Sequence, residues 1–402
     1  MPTRVYIRCQ LGMGIVEVMI GIVIGMIVVL AIYNIFAVAE GYKRTTVGAA
    51  DAQTTGLFAQ FTLAREIDNA GNGLSGDGAG LATCVNGDPN WKVPPGFFAT
   101  AGTRAIRPLP AIIKDGGSAT QSDSLIVTYS SAPRVVAQML IVDKAMAATT
   151  DPIYVQSPNG FKANDLVIAN DMAGNCEITT ATSVTPGDSV GNVTSGIVAI
   201  AHAATTNLYP PGGTTNGPSV LNLGQDPKVA GATPTGLARR TYFDIDANNQ
   251  LRTTDLFAGT AATPIAQNVV LLKAQYGVDC LSNGVITWTS ATNNDACGDG
   301  ILFRPDDFAP VAPGASAWTS QSLARVHLIR IAVVVRSDEK DFSNPPDPKL
   351  QGQTAWLFDC STHNAACQGR MQIDNTVLID SYRHRIYETI VPMRNAIFNN
   401  GT

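Results

Sequence analysis

Residues 18–39, VMIGIVIGMIVVLAIYNIFAVA, are apolar throughout except for Asn34, and no other feature of the chain limits its fold so sharply. At about 1.5 Å per residue, this run reaches roughly 33 Å as a helix, enough to cross a hydrocarbon core of about 30 Å. A surface helix of a water-soluble domain needs a polar face, and this stretch has none. The chain is therefore expected to carry a membrane-spanning helix over about residues 15–39.

Three kinds of N-terminal segment contain such a run. A cleaved secretory signal would use Ala37-Val38-Ala39 as its cut site. Its apolar region, however, spans only about 7–15 residues and carries no acid such as Glu17. A plain anchor accounts for the length but leaves Glu17 unexplained. A prepilin leader accounts for both: a short basic stretch with Arg4 and Arg8, then Gly12, then an apolar helix with Glu17 at the fifth position counted from Met13. A carboxylate in hydrocarbon is costly and persists only with a partner or a function. The simpler alternative is that Glu17, one turn from the membrane edge, snorkels to the cytoplasmic interface. Arg4 and Arg8 precede the span while Glu40, Lys43 and Arg44 follow it, so charge favours a cytoplasmic N-terminus only slightly.

From Glu40 to Ala70 there is no proline, and Leu57, Phe61, Ala64 and Ile67 recur at helical spacing. One helix is expected to run to about residue 70, stopped by Gly71-Asn72-Gly73, with its second half amphipathic and packed on a globular domain. Beyond it the signals are β-branched runs ending in turn residues: 124–130, 165–170, 240–245, 268–278, 284–288, 326–337 and 384–393. Residues 202–238, rich in Thr, Gly, Pro and Ala, read as a long loop, and the stretch around 85–120 as another. The expected class is α+β: a long N-terminal helix packed on a large β-rich domain over 72–402.

Composition narrows the function. With 27 basic and 32 acidic residues, the chain lacks the cationic surplus that nucleic-acid phosphates require. Charged residues are only 15%, against about 25% in an average soluble domain. Seven cysteines are an awkward number for disulfides, but six remain if Cys9 leaves with a leader. The spacings of Cys280 with Cys297 and Cys360 with Cys367 suit local loops, leaving Cys84 and Cys176 as the third candidate pair. Scattered buried thiols are the competing reading. None of the four histidines lies in a zinc-protease motif, and no nucleophile elbow or phosphate-binding glycine loop occurs in context, so neither an enzyme nor a small-molecule substrate or cofactor is expected. Asp244, Asp246 and Asn248, with Asp255 at the twelfth position, have calcium-loop spacing. Asn249 stands where the sharp turn wants glycine, and a hairpin turn at 247–250 explains the pattern more simply, so no metal is expected.

The stretch Gly12-Met13-Gly14-Ile15-Val16-Glu17 resembles the processing site of the type IV pilin and pseudopilin superfamily, with Met13 for the usual Phe and Gly14 for the usual Thr or Ser. Further along, several motifs resemble those of the PilW family of minor pilins in family order. They are 66–71 at the end of the helix, 164–171 followed by Cys176, 270–279 (VLLKAQYGVD), 325–337, and Arg385-Ile386-Tyr387-Glu388-Thr389 through Met393-Arg394-Asn395. Leu281 stands where relatives place an acid, so a family-type calcium site is not carried over.

The resemblance implies a leader over 1–12 removed by the prepilin peptidase between Gly12 and Met13, and a stem over 13–71. Met13 would become the methylated N-terminus, and Glu17 would pair with the corresponding amine of a neighbouring subunit. It further implies insertion in the bacterial inner membrane with the N-terminus cytoplasmic, a periplasm-facing domain, and later residence in the pilus at the cell surface. The implied role is structural, in type IV pilus assembly and hence twitching motility and adhesion, with other minor pilins and the major pilin as partners. A J-class minor pseudopilin of a type II secretion system and a pilus-tip adhesin are the alternatives.

Overall fold

The computed structural model describes residues 14–74, 109–118, 120–132, 139–142, 145–156, 160–171, 175–187, 196–210, 218–229, 236–280, 285–289, 325–338, 340, 355–358, 371–373 and 382–393. Its first element is helix α1 (Ile15–Asp68), 54 residues long. The strands that follow are β1 (Ala111–Lys114), β2 (Ser124–Ser130), β3 (Met139–Leu140), β4 (Ile153–Val155), β5 (Asp165–Asn170) and β6 (Cys176–Pro186). Next come β7 (Val198–His202), β8 (Ser219–Gln225), β9 (Ala238–Ile245), β10 (Leu251–Asp255), β11 (Thr263–Ala266) and β12 (Val269–Asp279). The last are β13 (Ile286–Trp288), β14 (Val326–Arg336), β15 (Ala355–Leu357), β16 (Met371–Ile373) and β17 (His384–Pro392).

Two antiparallel sheets and α1 share one core. The first sheet runs β1-β2-β9-β10-β11 and the second β13-β12-β14-β17. β14 is buried over nearly its whole length, as expected of the near-continuous run VHLIRIAVVVR at the centre of a covered sheet. The far face of that sheet, with Leu271 of β12 and Ala332 and Val334 of β14, packs under the antiparallel pair β15 and β16 through Leu357, Phe358 and Ile373. Arg330 lies between the rings of Trp288 and Phe358, 4.4 Å from each centroid.

The helix docks through its small residues. Ala52, Ala59, Leu63, Ile67 and Ala70 are buried against the sheets. At Gly56 an added Cβ would fall inside the ring of Tyr387 from β17, so glycine here lets the ring lie against the helix backbone. Gln60 Nε2 donates to the Glu388 carbonyl of the same strand at 2.8 Å. The helix ends at Asn69, and Gly71 and Gly73 take φ of +81°. Gly71 N donates to Thr128 O at 2.9 Å and Ser130 N to Asn72 O at 2.6 Å, fixing the stem to β2.

This docking corrects the expected stripe. Ile67 is buried, but Leu57 and Phe61 are 49% and 65% exposed. The sheet approaches closely only where the helix offers alanine and glycine, which turns the bulkier stripe outward.

Between β2 and β9, which pair directly, the chain builds a separate closed barrel. The strand order is β3-β8-β5-β6-β7-β4, and an Ile141–Val155 bridge with Val142 N donating to Tyr154 O at 2.8 Å joins the end of β3 to β4. Closure removes the open edges that short strands would otherwise expose. β6 turns the corner: its first half pairs β5 and its second half β7, with a register shift between Ala181 and Ser183. Ile141, Ile153, Val155, Val167, Ile200 and Val220 are among the residues that fill the inside. The barrel corrects the loop reading of 202–238, which contains β8, a strand buried between β3 and β5.

Candidate functional site

Among the described residues, the stem carries most of the large apolar side chains that the fold leaves uncovered. Every side chain from Ile15 to Ala39 is exposed, and α1 is long and apolar enough to cross a membrane. Past that span the outward apolar face continues through Val47, Leu57, Phe58 and Phe61, while Ala52, Ala59 and Leu63 on the other side are buried. The second half of α1 therefore has two apolar faces, a small-residue face for its own domain and a bulky one for something else. A continuous apolar surface of this length marks a contact with membrane or protein. The spacing of Gly48, Ala52, Gly56 and Ala59 was the sequence signal for the docking face, because only small residues admit a sheet so closely.

At its start, α1 has Gly14 at the N-cap in extended conformation, with no side-chain cap. Glu17 lies in the first turn, where open backbone N–H groups favour an anion. Its carboxylate is exposed and makes no hydrogen bond or ion pair with any described residue. Gly12 and Met13, the expected cleavage pair, lie outside the described residues.

At the other end of the helix, a groove of about 840 Å³ opens between α1 and the first sheet, with Arg65, Glu66, Tyr129, Arg239 and Asp255 in its lining. Its acids are engaged. Tyr129 Oη donates to Glu66 at 2.9 Å, and Arg239 pairs with Asp255 at 3.1 Å. Burial, then the Glu66 charge, holds the Tyr129 phenol well above its ordinary range, so it stays a neutral donor.

The remaining sequence candidates are spread through the domain. Asp244 pairs with Arg252 across the β9–β10 hairpin. Asp246 Oδ1 accepts from Asn248 N and Gln250 N at 2.9 Å each, and Asn249 takes φ of +58°, which makes the hairpin turn. These backbone hydrogen bonds hold the Asp246 carboxyl below its usual range. Asp255 stands opposite Thr241 at the far end of the same hairpin and caps Phe257 N and Ala258 N at 3.1 Å. The four candidate calcium ligands are thus not brought to one point. Among the described residues no cluster of three or more His, Cys, Asp or Glu is placed to hold a metal.

Cys176, buried at the start of β6, and Cys280, just after β12, are both disulfide-bonded and pack against the main core. Cys84, Cys297, Cys360 and Cys367 lie outside the described residues.

Comparison with known proteins adds one family. No curated protein and no solved structure matches the chain. Residues 240–395, from β9 to just past β17, match the model of the family described as PilW, type IV pilus-assembly protein W.

Proposed function

We propose that this chain is a minor pilin-like structural protein of type IV pilus assembly, acting in an initiating or tip complex rather than as an enzyme. The observation that carries the reading is the match of residues 240–395 to the pilus-assembly family, in a domain borne on a stem with an uncovered apolar face. In this reading the first half of α1 is held in the inner membrane before assembly. The outward face with Leu57, Phe58 and Phe61 then packs against stems of other minor pilins and the major pilin. Sequence match and stem support this reading over a secreted enzyme, because an active site would leave so long an apolar helix without a task. The barrel, which precedes the matched segment, favours a tip position with recognition surfaces of its own over the secretion-system alternative.

Glu17 is the assembly residue in this scheme. In the membrane its partner is the processed N-terminal amine of another subunit, and the carboxylate makes no hydrogen bond or ion pair with any described residue. Glu17→Ala is expected to give a stable, processed protein whose recovery in sheared pili falls tenfold or more, measured by immunoblot against the cell-bound pool. Wild-type incorporation of that variant overturns the charge-pair role.

The six cysteines of the mature chain are expected to be oxidised in the periplasm. Thiol titration of denatured protein purified without reductant should find none free, and each bridge removed should cost about 2–4 kcal/mol in denaturant unfolding. Six titratable thiols refute the expectation.

A further inference from the structure

A buried lysine–carboxylate cluster joins the two main sheets. Lys273, on β12, is 1% exposed, and Asp123, just before β2, is 3% exposed. Lys273 Nζ lies 2.7 Å from Asp123 Oδ1 and donates to Ser118 O at 2.9 Å. Asp115, at the start of the same loop, stands 3.7 Å from Nζ with its side chain 30% exposed. Two backbone N–H groups point at the Asp123 carboxyl: Gly116 N to Oδ1 at 3.0 Å and Ala274 N to Oδ2 at 2.8 Å. An ordinary structural ion pair does not need a second carboxylate beside the amine and an amide donor on each oxygen of the first. That arrangement is what acyl transfer to an amine requires: a nucleophile in contact, donors for the developing oxyanion, and a group to move protons.

We propose that Lys273 and Asp123 form an intramolecular amide bond, with Asp115 as the proton-transfer group. Within the dry cluster, a proton passes from the ammonium to the carboxylate, giving the neutral amine and neutral acid that react. Burial favours this exchange, since desolvation raises the Asp123 pKa to about 6 despite its cationic neighbour. The amine lone pair attacks the side-chain carbonyl carbon of Asp123, forming the C–N bond. The N–H groups of Gly116 and Ala274 hold the oxygens of the tetrahedral intermediate. Asp115 takes a proton from the attacking nitrogen and gives one to the departing hydroxyl, which leaves as water as its C–O bond breaks. Amine and acid become amide and water, with no oxidant or outside reagent. The bond would close the chain between positions 123 and 273 and tie the 115–123 loop, which already donates Asp123 N to Leu272 O at 2.8 Å, to the part of β12 that β13 does not pair.

Intact mass of the reduced full-length chain decides the matter. The wild type is expected to weigh about 18 Da less than the mass calculated for the N-terminal form actually present, precursor or processed and methylated, the loss of one water on amide formation. Its tryptic digest should contain a branched peptide joining the segments that carry Asp123 and Lys273. Lys273→Arg keeps a cation in place but cannot form this bond, and should restore the full mass. Asp115→Asn keeps the Lys273–Asp123 pair and should leave most of the protein unlinked. Wild-type protein of full mass, with separate peptides carrying Asp123 and Lys273, shows an ion pair only and overturns the proposal, whether or not the variants fold.

Discussion

Gly12→Ala is expected to abolish maturation, leaving the full-length precursor in the inner membrane, whereas the wild-type chain should be recovered beginning at Met13. The expectation rests on the order of parts at the N-terminus: Arg4 and Arg8, then Gly12, then an apolar helix with its acid at the fifth residue. A peptidase that cuts at the membrane surface must admit the backbone on the leader side of the bond, and a residue without a Cβ allows the closest approach. In sequence, the Gly12–Met13 bond precedes Ile15, the first residue of the helix. N-terminal mass spectrometry reads the result. The variant should show no mature form, a change of at least about a hundredfold in the processed fraction for a step so dependent on close positioning. A wild-type chain beginning at Met1, or at Glu40 after a signal-peptidase cut, rejects the prepilin leader.

How far the fold was legible follows from what holds each element. The strands at 124–130 and 165–170 coincide with β2 and β5, and those at 326–337 and 384–393 come within one residue of β14 and β17. These are strands whose own sequence is β-branched and apolar enough to declare them. The strands of the barrel are different. β6, CEITTATSVTP, is dominated by threonine and polar positions, and only its first half is well buried. β4 and β7 are three and five residues long, and β8, SVLNLGQ, lies among Gly, Pro and Thr that read as loop. What makes them strands is pairing with distant partners: β6, β7 and β8 each lie between two strands, and the Ile141–Val155 bridge gives β4 its second neighbour. That is a non-local property, which a window along the chain does not contain.

The stem shows the same limit at the level of a site. Its length, its apolar first half and its stop at Gly71 were readable, because they depend on composition and on glycine at positive φ. Which face meets the domain was not. Size alone favoured Leu57 and Phe61, yet the domain took Ala52, Gly56 and Ala59, because Tyr387 needed the space of a missing side chain. The outward turn of Leu57, Phe58 and Phe61 is what makes the second half of the stem a candidate assembly surface as well as a support. The Lys273–Asp123 cluster lay deeper still, since 150 residues separate its members and only the meeting of two sheets brings them together.

Removing the protein is expected to reduce surface pili and twitching by tenfold or more while the major pilin is still made and processed. The reason is geometric. If residues 72–402 fold into one compact head, a chain of that length has a radius of gyration of about 20 Å and is roughly 50 Å across. The stem that carries it is one helix about 10–12 Å wide. Packed helices stand about 8–10 Å apart, so neighbouring stems cannot each bear such a head at the same level. A shaft built of this subunit would have to be held open by its own heads. A single copy at an end has no such neighbour above it, and its outward face of Leu57, Phe58 and Phe61 can still receive the stem that follows. In the proposed initiating role, one copy per filament would be enough to start assembly, so a small amount of protein would control a large amount of polymer. Immunogold labelling should therefore place it sparsely, at filament ends or in the inner membrane, and quantitative proteomics should find it far below the major pilin. Dense labelling along the shaft would make it a repeating subunit and reject the argument. Normal piliation with lost exoprotein secretion would move it to the secretion system instead, where the same stem would serve a shorter assembly.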